Sequence, residues 1–197
     1  MQTEIEAKFL NIDPDDLREK LLGIGAVMKY PEILMKRNVY DDKEGNLRKI
    51  GGWVRVRDEG DVVTMSYKQL NDRTVHGTKE VTVIVNDFAT TCLFLESVGF
   101  VSKSYQETKR EKWMLGEAEI TIDTWPWIPT FVEIEALDED SLKGIAAKLG
   151  FDWSKALHGS VETAYQAVYD VTEDEIDSWK EILFIPVPEW LEERRLR

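Results

Sequence analysis

The chain is short of basic residues. Its 25 Lys and Arg stand against 38 Asp and Glu, a net charge of −13 over 197 residues. That deficit argues against nonspecific binding to nucleic acid or an anionic membrane, both of which need a basic face. It leaves room for a small anionic ligand, because local arrangement can oppose the global sign. Cysteine is nearly absent: the single Cys92 rules out an intramolecular disulfide framework. Its apolar helical surroundings mark it as a buried core thiol. Long apolar runs are missing too. No stretch approaches a membrane span, and the N-terminus opens on a charged strand with no apolar h-region. A soluble cytoplasmic protein is the plain expectation. What is present belongs to a folded chain: 43% hydrophobic residues, with seven Trp, seven Phe and six Tyr. The length suits one large domain or two small ones.

The tetrapeptide Glu4-Ile5-Glu6-Ala7 returns as Glu133-Ile134-Glu135-Ala136. Each copy is followed by an Asp-rich break, a short amphipathic run and a glycine stop. The pattern predicts a strand over Thr3–Leu10 with a helix near Pro14–Ile24, and a strand over Phe131–Ala136 with a helix near Ser141–Leu149. A weaker third unit is the alternating stretch Thr78–Val85, an N-cap at Asn86/Asp87, and a helix from Phe88 to Val98. Further strands are expected at Arg37–Asp41, Trp53–Arg57, Val62–Lys68, Gln106–Leu115 and Glu117–Thr124. Asp58–Asp61 and Gly116 supply hairpin turns. Short spacings favour antiparallel pairing. About eight strands and three or four helices read as an α+β domain. Beyond Gly159, a short helix over Val161–Val168 and one capped by Thr172 are expected, the latter packing back through Ile176, Trp179 and Leu183.

Several strands alternate apolar residues with residues that all carry charge. Glu4, Glu6 and Lys8 share one face; so do Arg55 and Arg57, Arg110 and Lys112, and Glu119, Thr121 and Asp123. Lys68 shares its face with Thr64 and Ser66. Paired arginines repel unless an anion or acid faces them, and clustered carboxylates repel unless a cation joins them: two unit charges 4 Å apart interact by about 4 kcal/mol at an effective dielectric near 20. A closed antiparallel barrel with a charged lumen and helices over its apolar outer face accommodates both sets. A ligand needing both signs is a polyphosphate with magnesium or manganese. Carboxylates hold the hard cation, and Arg and Lys meet the phosphate oxygens.

These residues resemble the CYTH superfamily, the triphosphate tunnel metalloenzymes, which includes class IV adenylyl cyclases, thiamine triphosphatases and inorganic tripolyphosphatases. Glu4-Ile5-Glu6-Ala7-Lys8 looks like its ExExK signature. The similarity continues through Tyr40-Asp41-Asp42, Trp53–Arg57, Tyr67-Lys68, Lys79-Glu80, Lys109-Arg110, Ile122-Asp123 and Phe131–Glu135, over roughly residues 2–170. The resemblance implies a closed eight-stranded antiparallel tunnel over residues 1–170, with 171–197 as a C-terminal helix and tail packed on it. It implies that Lys8, Arg55, Arg57, Lys68 and Arg110 bind the triphosphate, with Glu80 also in the lumen. Glu4, Glu6, Glu133, Glu135 and Asp123 would hold Mg²⁺ or Mn²⁺. The expected function is metal-dependent hydrolysis of a triphosphate-containing small molecule. Lys8 or Glu6 would help activate water, while Arg55, Arg57 and Arg110 stabilise developing charge. A class IV adenylyl cyclase and a non-catalytic polyphosphate- or nucleotide-binding module are the alternatives. Thr82 stands where many members carry a second acid, and no adenine-recognition pattern is visible. Lys155 and His158 are candidates for the family's C-terminal basic position, and Lys36 and Lys112 are left without a role. Oligomeric state is open, a homodimer included.

Overall fold

The structure is a computed structural model that describes every residue from Met1 to Arg197. In chain order it contains β1 (Gln2–Thr3), β2 (Glu6–Phe9), α1 (Pro14–Gly23), β3 (Val27–Asp41), α2 (Asn46–Lys49) and β4 (Gly52–Asp58). Then come β5 (Val63–Leu70), β6 (Thr78–Val85), α3 (Phe88–Ser97), β7 (Val101–Leu115), β8 (Ala118–Thr124), β9 (Phe131–Glu135) and α4 (Glu139–Lys148). The C-terminal part adds α5 (Glu162–Gln166), α6 (Glu173–Ser178), β10 (Glu181–Ile182) and α7 (Glu189–Glu192).

The three strand–helix units form for local reasons. Asp13 caps α1 by accepting from the amides of Asp15 and Asp16, with Pro14 in the first turn. Asp87 caps α3 through the Thr90 amide, and Asp138 caps α4 through the Ser141 amide. Each helix stops at a left-handed glycine: Gly25, Gly99 and Gly150. Elsewhere glycine answers a close approach. A Cβ on Gly51, itself at φ +71°, would meet the Leu70 carbonyl oxygen at 2.2 Å, so only glycine lets the start of β4 close onto the end of β5.

The sheet runs β1-β6-β5-β4-β3-β7-β8-β9-β2, with every one of these pairings antiparallel, and β10 lies parallel to β7. It curls, and the helices sit outside it, giving an α+β fold. Ten strands appear rather than about eight. The N-terminal strand is interrupted at Glu4-Ile5, and Glu181-Ile182 adds a short one. The ends of this order are consecutive pieces of chain: the Glu4 amide donates to the carbonyl of Thr78 in β6, and the amide of Ala136, just past β9, donates to the Ile5 carbonyl.

Seven α-helices appear against the three or four expected; α5 and α6 are the short helices expected beyond Gly159, and α2 and α7 are one-turn pieces in a connection and the tail. α1 and α4, the latter with its C-cap Leu149, bury Leu17, Leu21, Leu142 and Leu149 against Ala7, Phe9, Ile120 and Ile134 on the outer face of β2, β8 and β9. Fully burying each leucine contributes roughly 1.5–3 kcal/mol. α3 covers the far side with Cys92 and Leu95 on Tyr40 and Val56, so Cys92 is a core thiol. The C-terminal segment packs on Trp125, Ile128 and Phe131 through Tyr165, Tyr169, Ile176, Ile182 and Leu191. Ile176 and Trp179 pack back as the helical spacing predicts, but Ile182 is buried in place of Leu183. The chain there has left the helix for β10, and strand geometry turns the alternate residue inward.

Candidate active site in the charged lumen of the sheet

The inner face of the curled sheet lines a cavity of about 720 Å³. Register decides who faces whom. Glu6 is level with Glu135, and Lys8 with Glu133, across β2 and β9; Glu135 is level with Glu119, and Glu133 with Thr121, across β8. Arg110 stands opposite Asp123. On the other wall Arg55 is level with Ser66 and Val39, Arg57 with Thr64 and Arg37, and Lys68 with Glu80 and Trp53. Glu4, Glu6, Lys8, Arg55, Arg57, Lys68, Glu80, Arg110, Glu133 and Glu135 all line the one cavity. Asp123 sits just behind it, fully buried. The alternation seen in the sequence therefore brings the expected set together from seven strands and the Glu4 junction.

Opposite charges engage one another inside. The Lys8 ammonium lies 2.8 Å from Glu6 Oε1 and 2.9 Å from Glu133 Oε2, and donates to the Gly159 carbonyl at 2.7 Å. Burial opposes its charge, but Glu133 and Glu6 outweigh burial and raise its pKa, so Lys8 is a fixed cation. Burial likewise pushes Glu133 up; Lys8 and Arg110 overcome it and hold the carboxyl well below its ordinary range. Lys68 donates to both oxygens of Glu4, and Arg55 reaches Glu80 at 3.2 Å. Burial and a hydrogen bond shared with Glu80 push Glu4 up to about 8 in spite of Lys68. Arg110 grips Asp123 through two nitrogens at 2.6 and 2.9 Å, and Thr121 donates to the same carboxylate. Arg57 is paired with Glu59 at the rim.

Not every lumen group has an opposite charge. Glu135 has no ion-pair partner, and burial, followed by Glu119, Glu133 and Glu6, pushes it up to about 7. Arg37, only 6% exposed, has none either. Sequence reasoning placed Arg37 at the start of a strand without giving it a role; its spacing from Asp41, two steps along the same face, was the available signal. Glu119, paired with Lys112, also lines the cavity. At one end lie Glu162 and Asp177, which sequence reasoning did not single out. The remaining candidates fall outside. Lys155 lines a separate groove beside α1, the His158 ring meets the Glu6 carbonyl and leans on Trp153, and Lys36 is exposed. Thr82 hydrogen-bonds Ser66.

A family model described as the CYTH domain matches residues 2–169. The chain belongs to the CYTH family. Among solved structures this CYTH protein resembles an adenylate cyclase candidate from Vibrio parahaemolyticus, with 16% identity over 84% of this chain and 98% of that one and a TM-score of 0.72. The PH1819 protein of Pyrococcus horikoshii OT3 gives 20% identity over 83% and 98%, with a TM-score of 0.65. An adenylyl cyclase candidate from Hippeastrum, described as having a dominant triphosphatase activity, gives 14% identity over 83% and 95%, with a TM-score of 0.55. At these identities the likeness concerns the fold. No curated protein matches the chain. No helix is long and apolar enough to cross a membrane.

No three acidic side chains of the CYTH lumen converge on one metal-ligating point; Lys8 stands between Glu6 and Glu133, and Arg110 between Asp123 and Glu133. The donor chemistry nevertheless fits a hard divalent cation: all the candidates are carboxylate oxygens, and Glu135, crowded by three other acids, is the group such an ion would neutralise. Asp123 differs from the other four, since Arg110 and Thr121 already engage both of its oxygens.

Proposed function

We propose that this CYTH protein is a metal-dependent triphosphatase that hydrolyses a small triphosphate-containing substrate in the cytoplasm. The observation that carries this reading is the two-signed lumen, where carboxylates of β2 and β9 share one cavity with the arginines of β4 and β7. In this reading β1 and β2 act as one strand, bonded to β6 at one end and β9 at the other, and the sheet is a closed eight-stranded tunnel. Residues 1–170 form the tunnel domain, and 171–197 pack on it. The Hippeastrum relative's reported triphosphatase activity is a precedent for hydrolysis on this fold.

A Mg²⁺ or Mn²⁺ ion held by Glu4, Glu6, Glu133 and Glu135 would offset charge on the phosphate oxygens. Lys8, kept protonated by Glu133 and Glu6, would turn one of its three N–H donors from a carboxylate drawn to the metal toward a phosphate oxygen rather than accept a proton. Glu6 is left as the group that takes the proton from the attacking water. Arg55, Arg57 and Lys68 bind the phosphate chain, and Arg110, locked in orientation by Asp123, presents its remaining face to it. Guanidiniums fixed before the substrate arrives cost no reorganisation as charge develops, and one such donor is worth about 10²–10³ in rate.

The test is release of orthophosphate from tripolyphosphate, ATP and thiamine triphosphate with each metal, with cyclic AMP measured in parallel from ATP. Orthophosphate is the expected product. Cyclic AMP with pyrophosphate in its place would replace hydrolysis by cyclisation, and binding without turnover of any of the three would make the protein a receptor.

A further inference from the structure

Arg37 is a buried cation that the protein does not neutralise. It projects from β3 level with Arg57, and its guanidinium lies 4.6 Å from the centre of the Trp125 ring. Its one hydrogen bond is from Nη2 to the Thr108 hydroxyl, which carries no charge. Nε is shut away from solvent with no acceptor, and the same is true of Arg55 Nε in the same cavity. The charges acting on Arg37 most strongly are three other arginines, Arg55, Arg57 and Arg110, with Asp123 opposing them. Those three have carboxylate partners, Glu80, Glu59 and Asp123; Arg37 has none. Burying a lone guanidinium beside its own kind is costly. A purely structural peg against Trp125 would be served by an apolar side chain at no such cost.

We infer that Arg37 is a substrate-binding residue, its guanidinium directed at a phosphate oxygen of the anionic chain, with Trp125 fixing the plane of the group and Thr108 its rotation. The missing acceptor for Nε is then supplied by the ligand. This rests on the triphosphate reading and adds to it a fourth arginine, contributed by β3.

The experiment compares wild type with Arg37→Met by thermal unfolding over a tripolyphosphate titration, with and without Mg²⁺, and orthophosphate as control. The Met variant is expected to melt higher than wild type without ligand, because an uncompensated buried charge is gone. Half-saturation should move to about tenfold more tripolyphosphate, the weight of one charged hydrogen bond. Equal affinity in the two proteins overturns the inference, as does a Met variant that melts lower with unaltered affinity, which would make Arg37 a structural peg. If Arg37→Met does not fold, Arg37→Lys carries the test: it keeps the charge and loses the planar fork, so weaker binding supports the assignment and unchanged binding overturns it. Wild type that shows no response to tripolyphosphate defeats the triphosphate reading itself, a result distinct from wild type and variant binding alike.

Discussion

Glu6 and Glu135 stand level with each other across β2 and β9, yet Lys8 pairs with Glu6 and leaves Glu135 without a cation. That asymmetry makes Glu135 the carboxylate with most to gain from a metal ion. Glu135→Gln is expected to raise the melting temperature of the metal-free protein at pH 8, where the wild-type group is charged, and to remove most of the extra stability conferred by Mn²⁺ or Mg²⁺. Melting curves with each metal and with chelator read both effects. A Gln variant stabilised by metal as strongly as wild type would take Glu135 out of the metal site.

Lys8 is 3% exposed and holds two carboxylates and a backbone carbonyl at once. Replacing it with methionine leaves Glu6 and Glu133 buried without their partner, and breaking a buried pair from one side costs about 3–5 kcal/mol. Lys8→Met is expected to lose that much in urea unfolding. Adding Glu133→Gln should recover part of the loss, since one stranded charge is then gone. A double variant no more stable than the single would mean that Lys8 acts through Glu6 and Gly159 alone.

The charged lumen was legible in the sequence because strand period is two: once Glu4, Glu6 and Lys8 shared a face, their side was set relative to Ala7 and Phe9. Arg55, Arg57 and Lys68 followed by the same rule. Partnership was not legible, because it depends on register between strands far apart in sequence. Nothing local says that Arg110 locks Asp123 or that Arg37 lies level with Arg57. The end of the cavity built by Glu162 and Asp177 was hidden for a similar reason. The two short helices and the inward side of Ile176 were legible from spacing, but their landing place on Trp125 and Phe131, which carries Glu162 and Asp177 to the cavity, was not.

Asp177 provides a pH test apart from the carboxylates of the lumen wall. Burial, then Glu162, pushes it up to about 7 against the pull of Arg48, whereas an unfolded aspartate titrates near about 4. Between those values the folded chain holds a proton that the unfolded chain releases. The associated stability is fully present below the lower value and lost as pH rises through about 7. Asp177→Asn is therefore expected to change little at pH 4 and to melt higher than wild type at pH 8. A variant less stable than wild type at pH 8 would show that the Arg48 pair outweighs burial.

Arg55 and Arg110 both line the lumen, but their removal should separate chemistry from stability. Arg110 is the partner of a fully buried carboxylate, so Arg110→Gln strands Asp123 and is expected to cost both folding energy and activity. Arg55 touches only Glu80, at 3.2 Å, and Glu80 keeps Lys68 nearby. Arg55→Gln should therefore fold with a melting temperature close to wild type and lose about 10²–10³ in kcat/KM on tripolyphosphate, with the fall in kcat if the guanidinium acts mainly as charge develops and in KM if it acts mainly in binding. Unfolding and steady-state kinetics on both variants decide the matter. An Arg55→Gln protein with wild-type kcat/KM would take Arg55 out of the catalytic wall and leave the phosphate chain to Arg57, Arg110, Lys8 and Lys68.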